Sequence, residues 1–106
     1  YRPNLRVKNR DTCTPIGPWR VDAADVPDPM NLALQTTVNG QVTQSGHTRD
    51  MIFDVPFLIE YFSRFMTLQP GDLIYSGTPE GVAAVVTGDV LEGGVDGLQS
   101  LRIRIS

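Results

Sequence analysis

One cysteine, one histidine and one tryptophan among 106 residues leave several kinds of protein without their material. Cys13 has no second cysteine to pair with, so no internal disulfide forms, and a reducing, cytoplasmic setting is expected. With no CxxC and only His47, a His/Cys zinc site is excluded. No apolar run approaches about 18 residues, so no membrane-spanning helix is expected, and no secretory leader is visible. Nine Lys and Arg against 12 Asp and Glu give a net charge of −3. That balance offers no basic footprint for nucleic acid or anionic lipid.

What is present suits one soluble domain. The apolar share is 41% and the charged share 20%, ordinary for a globular chain and too apolar for a disordered one. The first residue is Tyr1, not Met, and a chain opening this way is expected to have been cut from something longer. No repeat, low-complexity tract or flexible linker interrupts it. Ten glycines and 8 prolines recur in short turn signals, which implies many short elements.

The clearest β signal spans residues 31–46. Leu32, Leu34, Thr36 and Val38 alternate with Ala33, Gln35 and Thr37. Asn39-Gly40 follows, a dipeptide that accepts positive φ at both central positions of a type I′ turn, and residues 41–44 return. Residues 54–66 form the one convincing helix, capped by Asp54 and with Pro56 in its first turn. Val55, Leu58, Ile59, Phe62, Phe65 and Met66 recur at helical spacing, so this face is expected to pack against the sheet. Residues 19–21 and 72–75 read as short strands, the second after a Pro70-Gly71 type II turn. Residues 22–28 read as a turn or single helical turn, and 89–94 and 98–105 as two final strands. The sum is a β-rich mixed α/β fold with one packed helix.

On residues alone, the chemistry is sparse. His47 reads as a surface or hydrogen-bonded structural histidine. Asp22, Asp25 and Asp28 are three apart, but Pro27 and Pro29 prevent a regular helix from presenting all three, leaving them turn and capping roles. The cations at 2, 6, 8 and 10 suit a solvated face. The loop Ser76-Gly77-Thr78-Pro79-Glu80-Gly81 is more suggestive, because glycines flanking a hydroxyl allow close approach of an anion. It lacks the lysine and spacing of a P-loop, and serves equally as an anion site or a simple turn.

An ordered series of short motifs resembles one family. Thr14-Pro15, Gly17-Pro18-Trp19, Val26-Pro27-Asp28-Pro29, Asn31-Leu32, Val38-Asn39-Gly40 and Asp50-Met51-Ile52-Phe53 come first. Phe65-Met66-Thr67-Leu68, Pro70-Gly71-Asp72 and Gly77-Thr78-Pro79-Glu80-Gly81 complete it. Together they are similar to the C-terminal half of the fumarylacetoacetate hydrolase superfamily. Within it, residues 1–11 and Phe57-Leu58-Ile59-Glu60-Tyr61 resemble the isomerase/decarboxylase branch of homoprotocatechuate degradation. Gly17-Pro18-Trp19 stands closer to the hydrolase and acylpyruvase-like branches.

The resemblance implies that residues 1–106 are the C-terminal part of a catalytic domain truncated at its N-terminal side, within a mixed β-sandwich roll. It implies Mg²⁺ or Mn²⁺ in the full-length parent, held by two glutamates and an aspartate upstream, with no metal ligand in this chain. Such an ion, bound by oxygens, suits a 2-oxo acid chelated through its carboxylate and keto oxygens. Lys8 then corresponds to the catalytic lysine beside the substrate carboxylate. Thr78 corresponds to the threonine that contacts that carboxylate, with Gly77 permitting the close approach. Arg6 and Arg10 are candidates for a second carboxylate. The implied partner is a small 2-oxo dicarboxylic acid, and the implied reaction its decarboxylation or isomerisation in aromatic catabolism. A C–C hydrolase of acylpyruvate or fumarylacetoacetate type is the alternative, and a non-catalytic β-rich domain the second. A homo-oligomer, or pairing with the missing N-terminal half, is expected, and the isolated chain is expected to be inert.

Overall fold

The computed structural model describes residues 9–106; Arg6 and Lys8 lie outside the described residues. In chain order come a 3-10 turn (Ala23–Asp25), strands β1 (Ala33–Val38) and β2 (Gln41–His47), and a second 3-10 turn (Thr48–Asp50). Helix α1 (Val55–Ser63) and strands β3 (Val90–Val95) and β4 (Leu101–Arg104) follow. The strands make one antiparallel sheet in the order β2-β1-β3-β4.

The expected hairpin is β1–β2. Asn39 and Gly40 take φ of 50° and 81°, the two left-handed positions that a type I′ turn demands. The Asn39 side chain also reaches the far end of the chain. Its Nδ2 donates to Asp89 Oδ1 at 2.8 Å and its Oδ1 accepts from the Val90 N–H at 2.9 Å. The hairpin tip therefore fixes where β3 enters the sheet. At the other end, Asp96 accepts from the Ala33 N–H at 3.1 Å and returns its own N–H to the Ala33 carbonyl at 2.9 Å.

Register separates the two faces. Leu34 opposes Val95, Val38 opposes Leu91, and Leu91 opposes Ile103; opposed residues share a face. That face is apolar, while Gln35, Thr37, Glu92 and Arg102 point to the other. In β4, Leu101 and Ile103 are half-buried and Arg102 and Arg104 exposed, the alternation of an antiparallel sheet wetted on one side.

Helix α1 begins as its sequence indicates. Asp54 Oδ1 accepts from the Phe57 N–H at 2.8 Å, and Pro56 sits in the first turn. Its end is earlier than the spacing suggests. Arg64 caps it, and the Phe62 carbonyl accepts from both the Phe65 and the Met66 N–H at 3.3 and 3.1 Å, a shared three- and four-residue closure that ends the helix.

The helix face does not pack on the sheet as expected. Leu58 and Phe62 are half-buried, whereas Ile59 is 48% and Phe65 61% exposed. Loop residues Thr78, Gly81, Val82, Ala83 and Val85 instead line a groove over the apolar sheet face with Thr36, Val38 and Leu91. The helix carries its own aromatic ladder: Phe53 stacks on Phe57 at 4.9 Å, Phe57 on Tyr61 at 6.1 Å, and Tyr61 meets Phe65 edge-on at 5.5 Å. Among the described residues none is fully buried, and no helix is long and apolar enough to cross a membrane.

Two expected strands are absent. Residues 19–21 and 72–75 join no ladder among the described residues. Leu73 is 58% and Tyr75 75% exposed. Their β-forming composition supplies side chains suited to a pleated surface but no neighbouring strand to bond to. The turn before 72–75 does form: Asp72 returns its N–H to the Gln69 carbonyl at 3.0 Å, and its carboxylate accepts from the Gln69 N–H at 2.7 Å. The expected turn at 22–28 is the 3-10 turn Ala23–Asp25.

Candidate functional site

The loop 76–81 is seated on β2 by three separate devices. The first is a side-chain clamp. Gln44 Nε2 donates to Thr78 Oγ1 at 2.9 Å and to the Pro79 carbonyl at 2.8 Å. The second is a gap in the strand. Gly46 leaves room for the Pro79 ring, because a Cβ there would stand 2.8 Å from Pro79 Cγ. The third is a bare backbone in the loop. A Cβ at Gly81 would fall on the Thr43 carbonyl oxygen, and Gly81 has φ of +105°.

The strand is shaped for this seat. Between Thr36 and Thr37 the β1–β2 register shifts, with Thr43 as the extra residue. Such a bulge twists the strand and takes one residue out of the ladder. Here it brings the Thr43 carbonyl toward Gly81, while the Thr43 hydroxyl donates to the Thr36 carbonyl at 3.3 Å. A groove of about 180 Å³ results, lined by Thr78, Gly81, Val82, Gln44, Val38 and Leu91 among others.

Thr78 stands at the rim of that groove with its side chain exposed. Gly77 before it has φ of +94°, yet a Cβ there would meet nothing within 4 Å. Its glycine is thus needed for backbone conformation, not for room. An exposed hydroxyl anchored from behind, beside a glycine backbone, can offer a donor to an anion. Arg10 is exposed within the turn closed by the Cys13 N–H on the Arg10 carbonyl at 3.1 Å. Lys8, the candidate cation, lies outside the described residues together with Arg6.

Several other polar residues make structural hydrogen bonds. His47 Nδ1 accepts from the Arg49 N–H at 3.1 Å and caps the second 3-10 turn, as its hairpin-end position suggested. Thr48 holds Leu32 through two bonds, Oγ1 accepting at 3.0 Å and N–H donating at 2.9 Å. Asp89 accepts from the Val86 N–H and from Asn39, and these bonds lower its pKa below the ordinary carboxylate value. Asp22 and Asp28 accept, through their carbonyls, from Asp25 and Asn31. Among the described residues no three His, Cys, Asp or Glu side chains gather as metal ligands, so these residues do not fit the ion the family implies.

Sequence reasoning pointed to Thr78 and Gly77 as candidates but not to Gln44. Only the pairing of β2 with a loop 34 residues later makes that amide relevant, and no local pattern announces it.

The fumarylacetoacetate (FAA) hydrolase C-terminal family model matches residues 1–106. The chain is 64% identical over 89 residues to a 4-hydroxyphenylacetate degradation bifunctional isomerase/decarboxylase of Salmonella dublin, covering 84% of the chain and 21% of that protein. The Escherichia coli protein of the same name is 54% identical over 99% of the chain and 24% of its own length. The chain therefore spans about a quarter of these relatives or less. Maleylpyruvate hydrolase from Sphingobium sp. SYK-6 superposes with a TM-score of 0.91 at 40% identity, over 98% of this chain and 40% of that one. Its complex with manganese(II) and pyruvate superposes at 0.86 and 42%, over 90% and 36%.

Proposed function

Because the chain belongs to the fumarylacetoacetate hydrolase family, we propose that the whole protein decarboxylates and isomerises unsaturated 2-oxo dicarboxylic acids in aromatic catabolism. The single observation that carries this is the 64% identity to a bifunctional isomerase/decarboxylase. Decarboxylation breaks the bond to the leaving carboxylate. The electron pair passes through the unsaturated chain into the 2-oxo group, giving an enolate, and a proton returns to carbon in the isomerisation. The Thr78 hydroxyl donates a hydrogen bond to the carboxylate next to the 2-oxo group, and the groove beside it receives the substrate chain. Lys8 supplies the opposite charge for that carboxylate and the developing enolate. Arg6 and Arg10 are the candidates for the distal carboxylate.

A manganese(II) and pyruvate complex of a relative supports a divalent ion and a 2-oxo acid in this family. We place the ligands of such an ion elsewhere in the whole protein, of which this chain spans about a quarter or less. The exposed aromatic ladder of α1 supports a further layer of the whole protein, or a second copy, packing over it.

A hydrolase is the second reading, favoured by the TM-score of 0.91 to maleylpyruvate hydrolase. An assay of the whole protein with Mg²⁺ or Mn²⁺ against unsaturated 2-oxo dicarboxylates and acylpyruvates separates the two. Release of CO₂ with a shift of the conjugated chromophore supports decarboxylation and isomerisation. Cleavage into two acids without CO₂ supports the hydrolase, and turnover of neither class sinks both.

A further inference from the structure

We propose that Gln44 is a positioning residue that fixes the Thr78 hydroxyl as a donor toward the substrate carboxylate, an inference that rests on the role given above to Thr78. The argument begins with the Pro79 carbonyl, which can only accept. The end of the Gln44 amide lying 2.8 Å from it must therefore be the NH₂, and this settles which way the amide points. The same nitrogen lies 2.9 Å from Thr78 Oγ1. An NH₂ has two protons, and here one goes to each oxygen.

The consequence falls on the hydroxyl. Thr78 Oγ1 receives a proton from Gln44, so its own proton cannot point back along that line. The residue is exposed on the loop rim, and the hydroxyl proton is left to face an incoming acceptor. A hydroxyl that accepts one hydrogen bond is also polarised to donate a better second one. An ionised carboxylate, which only accepts, is the group this arrangement selects. The bond to Pro79 meanwhile holds the loop backbone against β2, so the hydroxyl does not drift. Gln44 itself is half-buried and opposes Thr36 in the sheet, which makes the amide a fixed post rather than a mobile surface group.

The test measures pyruvate binding by calorimetry to the whole protein in saturating Mn²⁺, for wild type, Gln44→Glu, Thr78→Val and the double variant. Gln44→Glu keeps the side-chain shape but replaces both N–H donors with an acceptor, which turns the Thr78 proton inward. It is expected to weaken pyruvate about tenfold alone, and less than about twofold when Thr78 is already Val, since the two act as one unit. Gln44→Leu gives the same pattern and serves as the second variant, with the unfolding midpoint recorded for each. If Thr78→Val weakens pyruvate while neither Gln44 variant does, the inference fails and the role of Thr78 stands. Equal weakening in both backgrounds also overturns it, because a purely structural contribution adds independently. If Thr78→Val leaves pyruvate binding unchanged, the assignment of Thr78 falls and the inference falls with it.

Discussion

Gly81 and Thr43 touch through backbone alone: a side chain of even one carbon at Gly81 would overlap the Thr43 carbonyl oxygen. This contact ties the far end of the loop 76–81 to the β2 bulge. Gly81→Ala must therefore open the seat as well as accept a left-handed φ. A forced overlap of this kind costs about 1–3 kcal/mol, and the left-handed backbone adds about 1–2 kcal/mol. Gly77→Ala has only the second cost, because the space beside it is open. Chemical denaturation of the whole protein is expected to show the larger loss for Gly81→Ala. Equal losses would mean that the Thr43 contact yields freely.

Asp89 gives a pH signature. Bonds from the Val86 N–H and the Asn39 amide lower its folded pKa, so the ionised form favours the folded state. The contribution is full above the unfolded carboxylate value of about 3.9 and is lost as pH falls through the lowered folded value. The stability difference between wild type and Asp89→Ala is expected to be constant near neutrality and to shrink in that acid range. Urea midpoints at a series of pH values measure it. A difference that grows on acidification would contradict the assignment.

The 106 residues alone are expected to unfold without a sharp transition. Full burial of one Leu or Phe contributes about 1.5–3 kcal/mol, yet none of the described residues is fully buried and Phe57, Tyr61 and Phe65 are 43%, 47% and 61% exposed. The ion pair of Glu60 with Arg64 at 2.7 Å is solvent-exposed and adds little, at most about 0.5 kcal/mol. Calorimetry and near-ultraviolet circular dichroism of the isolated chain provide the check. A cooperative transition with fixed aromatic signals would show that the helix face finds a partner within the chain.

How much of this was legible in the sequence depends on the range of the interaction. Asn39-Gly40 and the Asp54 cap act within a few residues, and the hairpin and the start of α1 follow from them directly. β3 and β4 were also readable, as the two final strands at 89–94 and 98–105, against the observed Val90–Val95 and Leu101–Arg104. Residues 72–75 have the same β-forming composition but no ladder, since a strand is defined by a neighbour that composition does not name. The helix face was legible as apolar, but not what it packs against. The family resemblance pointed to Thr78, whereas Gln44 and the Thr43 bulge emerge only when strand and loop are brought together in space.

The most direct measurement of the central claim is kcat/KM of the whole protein, in saturating Mg²⁺, for an unsaturated 2-oxo dicarboxylate. Wild type, Thr78→Val, Lys8→Met and the double variant are compared by CO₂ release. Hydrogen bonds to charged groups contribute about 1.5–3 kcal/mol against about 1 for neutral ones. Thr78→Val is expected to lose about tenfold or more, and Lys8→Met at least as much. The double variant should lose less than the product of the two factors, because the proposal has both groups serve one carboxylate. Wild-type kcat/KM in Thr78→Val, or no CO₂ release by the wild-type protein, would contradict the account.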